Sequence, residues 1–276
     1  MISLHRDDVA GKRRLDLPNR RLLSRGYGLV CAWYTAALLA SGSAVAQVLI
    51  SPVVVELGAR QRTVAVTVTL SDKASGPMRL QADVLRWEQD VQGHDVTEPS
   101  DDLLVTPPIA DLKPGDRQVF RLALRGARPS PEELTYRLIL EDIAESPAAT
   151  EAAPGMNINF RMRYDLPVMV APVSKVVNVL RWKPCVTATT PATKPSAAEA
   201  CVRLLNAGNR RVKVQTLTLA GAGWQQDLPL KVGVNVLAGA EREWRVVLAP
   251  GRSGTLNGVQ VLTARGEKLQ AETGGF

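Results

Sequence analysis

Histidine is almost missing from this sequence: there are two in 276 residues, His5 and His94. Cysteine is scarce too, with three, Cys31, Cys185 and Cys201. These shortages exclude much chemistry. A zinc site has too few His or Cys ligands, no H-E-x-x-H or C-x-x-C spacing occurs, and no Ser-centred nucleophile elbow is present. No glycine-rich loop of the phosphate-cradling kind is found either. The adjacent carboxylates Glu132-Glu133 and Glu141-Asp142 fall in strand-like segments, where neighbours point to opposite faces, so neither pair forms an acid/base couple. His94 sits in the turn-like Gln92-Gly-His-Asp95 and reads as solvated. The sequence therefore predicts no enzyme, no catalytic residues, no metal and no cofactor.

What is present begins with a basic leader. Arg6, Lys12, Arg13, Arg14, Arg20, Arg21 and Arg25 precede an apolar run from Gly28 to Ala40, and Ala44-Val45-Ala46 follows just before Gln47. This order predicts a secretory signal peptide over residues 1–46, cleaved after an A-x-A site. The apolar run is shorter than the about 20 residues a membrane span needs, which argues against a retained anchor. Removing these residues takes away seven basic and three acidic side chains, so the net charge of +7 falls to +3. A charge this small points to no nucleic-acid partner. No later segment reaches transmembrane length, so the mature chain is expected to be exported and without a membrane span.

Cys185 and Cys201 remain after cleavage, and an oxidising compartment leaves them one possible pairing. They bracket a Thr/Ala/Pro/Ser-rich stretch, Val186–Ala200, that reads as a loop stapled at its base. Closing a loop of this size is worth about 3 kcal/mol on the chain-entropy model.

From Gln47 onward the apolar residues recur with period two. Val64, Val66, Val68 and Leu70 alternate with Thr63, Ala65, Thr67 and Thr69; Phe120, Leu122 and Leu124 alternate with Arg121, Ala123 and Arg125; and Tyr136, Leu138 and Leu140 alternate with Arg137 and Ile139. Pro/Gly clusters separate these runs and no amphipathic helix competes, which predicts an all-β fold. Pro167 and Pro172 interrupt the pattern. A second strand-rich section follows, with strands expected at Lys175–Trp182, Cys201–Asn206, Arg211–Leu219, Trp224–Leu230, Val234–Leu237, Glu243–Leu248 and a last pair around Val259–Thr263. We read two tandem immunoglobulin-like β-sandwich domains, at 47–168 and 169–276.

Three short segments carry a family resemblance: Thr106-Pro-Pro-Ile109, Leu112-Lys-Pro-Gly115 and Gln118-Val-Phe-Arg121. Together with Leu134–Leu140 and an alternating strand ending at Pro172, they resemble the signature of the periplasmic, PapD-like chaperones of the chaperone–usher pilus pathway. The resemblance covers Gln47 to about Pro172 well, and the rest only in strand order and in the Asn206 turn. It implies a chaperone of the Gram-negative periplasm whose partners are pilus subunits and an outer-membrane usher. Such chaperones lend a strand to a subunit that lacks its own last strand, which covers an aggregation-prone edge. Between rounds the donor strand could be protected by a self-capping oligomer.

The resemblance places that donor strand at Met156–Tyr164, with Ile158, Phe160 and Met162 projecting to one side. The pattern alone fits an ordinary core strand equally well, and the long Ala/Pro-rich loop Ala144–Gly155 before it favours donation. In the better-known branch an Arg and a Lys grip the subunit's C-terminal carboxylate. Here those positions fall on Val53 and Pro167, neither of which carries charge, a departure shared with the divergent, archaic branch. A carboxylate still needs a cation. Arg137, on the strand face opposite Tyr136, Leu138 and Leu140, is the first candidate and Arg86 the reserve, whereas Arg121 is expected to pair with an acidic neighbour. The competing reading is a secreted two-domain adhesin or surface-binding module, which genomic neighbours would distinguish.

Overall fold

A β-strand is stable only when its apolar face is covered, and the alternating segments above form the central strands of the first half. The computed structural model describes residues 47–126, 130–144, 161–185, 199–252 and 255–276. Strands β1 (Val48–Ser51), β2 (Val55–Leu57), β3 (Thr63–Leu70), β4 (Met78–Gln89), β5 (Asp95–Pro99), β6 (Leu103–Thr106), β7 (Ile109–Leu112), β8 (Arg117–Leu124), β9 (Leu134–Asp142) and β10 (Arg163–Val170) form the first half. They make two sheets, ordered β1-β3-β8-β6 and β2-β10-β9-β4-β5, with β7 also on β4. The chain passes from the first sheet to the second at Pro52, after a cis peptide bond. Val66, Val68, Phe120, Leu122, Tyr136, Leu138 and Leu140 meet in one core between the sheets.

The second half is β11 (Leu180–Pro184), β12 (Glu199–Asn206), β13 (Val212–Gly221), β14 (Trp224–Val236), β15 (Glu241–Val247), β16 (Leu256–Thr263) and β17 (Lys268–Thr273). Their order is β14-β13-β16-β17-β11-β12-β15, joined in the middle through a parallel β11–β17 contact. A separate core gathers Trp182, Leu204, Leu217, Val236 and Val259. Cys185 and Cys201 are joined by a disulfide across the β11–β12 pair, with Cα atoms 5.1 Å apart. The fold is all-β, as the period-two pattern requires, and no helix among the described residues is long and apolar enough to cross a membrane.

Several strand limits differ from expectation. Pro167 lies inside β10 rather than ending it, because among the described residues β10 has an open edge there, and proline is tolerated where a strand lacks a second partner. No strand covers residues 175–179. There the Val177 N–H donates to Asn209 Oδ1 at 2.9 Å, and its carbonyl accepts from the Asn209 N–H at 3.2 Å, so the backbone is satisfied by the Asn206–Asn209 turn. That turn comes close enough that a Cβ on Gly208 would sit 2.3 Å from the Val177 carbonyl oxygen. The two strands expected at 224–237 are one, β14, with a register shift opposite Val214–Thr216. β4 had no clean signature, because its buried face switches from Leu80, Ala82 and Val84 to Trp87.

Candidate functional site

The second sheet ends in an incomplete edge. β10 pairs with β9 along its whole length, whereas β2 covers only Val168–Val170. Over Arg163–Pro167 the outer edge of β10 has no partner strand among the described residues. Along its inward face burial fades steadily: Val168 and Leu166 are buried, Tyr164 is half-buried and Met162 is 47% exposed. The Asp142 N–H still donates to the Met162 carbonyl at 2.9 Å, so the ladder to β9 continues one step past the strand. An apolar row thus runs out of the core into solvent along an unpaired edge. Just before β2, Val53 and Val54 are exposed as well. Ile158 and Phe160, which share the parity of Met162, lie outside the described residues, as do residues 145–155 of the loop before them.

Arg137 occupies the opposite, outward face of the same sheet. It stands directly across from Pro167 on β10 and from Leu85 on β4. Its guanidinium stacks on the Trp87 ring, 3.8 Å from the centroid, donates to Asp95, and lies 3.4 Å from Asp165. The Trp87 Nε1–H donates to the other Asp95 oxygen at 2.8 Å, so one carboxylate fixes both the cation and the ring beneath it. The Arg137 Nε atom is buried and has no hydrogen-bond partner among the described residues. A charged group held by a ring face and two carboxylates, beside the uncharged Pro167, is a candidate anion anchor.

Arg86 is elsewhere. It pairs across the ladder with Tyr136, so it projects to the face opposite Arg137, and the structure does not bring the two candidates together. Its own partner is Glu88 at 3.3 Å. It borders a cleft of about 450 Å³ whose far wall is Leu237–Ala240. In the same cleft the Tyr136 hydroxyl faces Asp102 at 3.4 Å. Burial and the Asp102 charge push its ionisation up to about 12, against the opposing pull of Arg86. Arg121, expected to pair with an acid, is exposed and has no ion pair among the described residues. His94 lies in an exposed turn, its Nδ1 2.9 Å from Asp90. Cys185, Cys201 and Glu243 present their ligand atoms within 4.8 Å of one another, but the sulfurs are spent in the disulfide and offer no thiolate.

Sequence reasoning missed the groups that tie the two sandwiches together. Glu133, with only 2% of its side chain exposed, accepts from the Arg211 N–H at 2.9 Å and from its guanidinium, and lies 3.6 Å from Arg210. Arg211 also reaches Glu56 on β2. A small apolar cluster of Trp87, Met169 and Leu237 fills the neighbouring space. The Gln89 amide bonds both the Asn235 carbonyl and the Leu237 N–H, at 3.2 and 3.1 Å. Isolated charges in a strand-rich sequence give no sign of such pairing, because the partners are nearly 80 residues apart.

Comparison with known proteins gives a consistent picture. Residues 47–175 match the family model described as pili and flagellar-assembly chaperone, PapD N-terminal domain. Curated protein sequences yield no match. Among solved structures the chain is similar to the CsuC–CsuE chaperone–tip adhesion subunit pre-assembly complex from archaic chaperone–usher Csu pili of Acinetobacter baumannii, with 18% identity, a TM-score of 0.59, and 83% of this chain and 100% of that chain covered. It is similar also to the class 5 fimbriae chaperone CfaA, with 14% identity, a TM-score of 0.57, and 83% and 100% covered. A third is the E. coli chaperone DraB, with 17% identity, a TM-score of 0.51, and 82% and 96% covered. At these identities the likeness establishes the fold.

Proposed function

We propose, on the premise that this chain belongs through residues 47–175 to the PapD-like family of pili and flagellar-assembly chaperones, that it captures pilus subunits by donating the segment Met156–Tyr164, which leads into β10. The observation that carries this reading is the edge of β10, unpaired among the described residues, where the inward-facing row runs from buried Leu166 to exposed Met162. An edge of this kind is an aggregation hazard unless a partner strand covers it, and strand addition converts the hazard into affinity. Main-chain hydrogen bonds would complete the subunit's sheet, while Ile158, Phe160 and Met162 fill its groove. Arg137 would receive the subunit's terminal carboxylate on the outward face, with Arg86 as the reserve.

The same reading assigns residues 1–46 to a signal peptide, 47–168 to the chaperone domain, with β10 continuing to Val170, and 169–276 to the C-terminal domain. It places the mature protein in the periplasm, handing subunits to an outer-membrane usher and protecting its own donor strand by self-association when free. Capture is a binding equilibrium and needs neither nucleotide nor metal. The test is co-expression with the small secreted proteins encoded beside it. The reading expects a soluble one-to-one complex formed without ATP and an usher gene nearby. Absence of both, or capture only with nucleotide, would refute it.

A further inference from the structure

The two carboxylates on Arg137 are not equivalent. Asp95 is held twice, by the Arg137 guanidinium and by the Trp87 Nε1–H at 2.8 Å. It also feels the charge of Arg242, a half-buried β15 residue whose guanidinium packs against Gly93 in the β4–β5 turn. Among the described residues Asp165 has one partner, Arg137, at the longer distance of 3.4 Å, and its side chain is 46% exposed. It sits on β10 itself, two residues before Pro167 on the same face. The two acids therefore do different work. Asp95 is fixed and orients the guanidinium on the indole, and Asp165 rests loosely on the side from which a chain pairing with β10 would arrive.

We propose that Asp165 is a placeholder: it occupies, in the free protein, the part of Arg137 that an incoming carboxylate takes. This rests on the reading of Arg137 as the carboxylate anchor. A guanidinium recognises a carboxylate best through two parallel N–H groups, and with Asp95 holding one end the incoming anion must displace Asp165 to gain the other. The contact is long and its acid is half-exposed, so displacing Asp165 costs little, and it prevents Arg137 from collecting small anions between subunits. Asp165 is thus a specificity-determining residue: only a carboxylate brought in by strand pairing competes well against it.

The probe is a pair of synthetic β-strand peptides with alternating apolar residues, identical except for a free or an amidated C-terminus. Binding to the full mature chain is read by fluorescence anisotropy as the acid-to-amide affinity ratio. Asp165→Asn, which keeps shape and removes charge at an exposed site, is expected to raise that ratio roughly twofold to fivefold. Asp165→Glu, which keeps the charge, is expected to leave it near the wild-type value, and Asp95→Asn is expected to lower it by freeing the guanidinium from the indole. If Arg137→Ala abolishes the acid preference but Asp165→Asn leaves it unchanged or lowers it, the placeholder is wrong and the anchor stands. If the wild type shows no acid preference, or binds neither peptide, the anchor reading itself fails and the placeholder falls with it.

Discussion

Replacing Glu133 by Ala tests whether the joint between the sandwiches is electrostatic. The carboxylate is almost wholly buried and neutralises Arg211, whose side chain is itself only 12% exposed. Truncating it strands a desolvated guanidinium and an unsatisfied Arg211 N–H, which costs about 3–5 kcal/mol. Arg211 keeps its second partner, Glu56, but that side chain is 55% exposed and offsets little. For a chain of this size the loss corresponds to a fall of roughly 10 °C in melting temperature. Glu133→Gln retains one acceptor and is expected to lose less, and Glu56→Ala about 1 kcal/mol or less. Adding Arg211→Met to Glu133→Ala removes the stranded charge and should recover part of the deficit. Urea unfolding followed by tryptophan emission reads both halves, because Trp87 sits at the joint and Trp182 in the C-terminal core. If Glu133→Ala costs no more than Glu56→Ala, the joint is held by the Trp87–Met169–Leu237 contact instead and the reasoning fails.

Other expectations follow from the same geometry. Intact-mass analysis of secreted protein should show a chain beginning at Gln47 with one disulfide, and reduction should destabilise it by about 3 kcal/mol; two free thiols in the native protein would contradict this. Tyr136 stays neutral in the folded state until about pH 12, whereas an unfolded tyrosine ionises near 10, so its stabilising share is complete below pH 10 and is lost as pH rises from 10 to 12. The Tyr136→Phe variant should therefore lose about 2 kcal/mol less than wild type across that window, and parallel curves would refute the burial argument. Arg137→Ala should reduce subunit co-purification while the free protein remains folded; unchanged capture would move the anchor to Arg86 or to backbone amides.

Much of the first sandwich was legible because its strands bury one face each. Thr63–Leu70 alternates without interruption, and the strand has those limits. β4 was opaque for the opposite reason: it supplies Leu80, Ala82 and Val84 to one core and Trp87 to the interdomain contact, so its period breaks mid-strand. Pro167 misled because proline marks strand ends only where both edges are paired. At the candidate site, strand parity alone placed Arg137 opposite Tyr136 and Leu138. That Asp95, Asp165 and Trp87 would surround it depends on cross-strand register, which no local pattern specifies. The Glu133–Arg211 pairing is further from reach still, since it needs the relative placement of two separate cores.

The claim on which everything else depends is that the row continuing past Met162 belongs to a partner's core and not to the chain's own. Phe160 shares the parity of Met162 in the sequence, and at Met162 burial has already faded. The decisive measurement is the melting temperature of free Phe160→Ala protein alongside its yield of co-expressed subunit. The account predicts a free protein that melts within about 2 °C of wild type and a subunit yield that collapses, because about 3 kcal/mol of groove filling is lost only in the complex. A melting temperature that falls by about 6 °C or more, with subunit yield declining in proportion, would place Phe160 in the chain's own core and contradict strand donation.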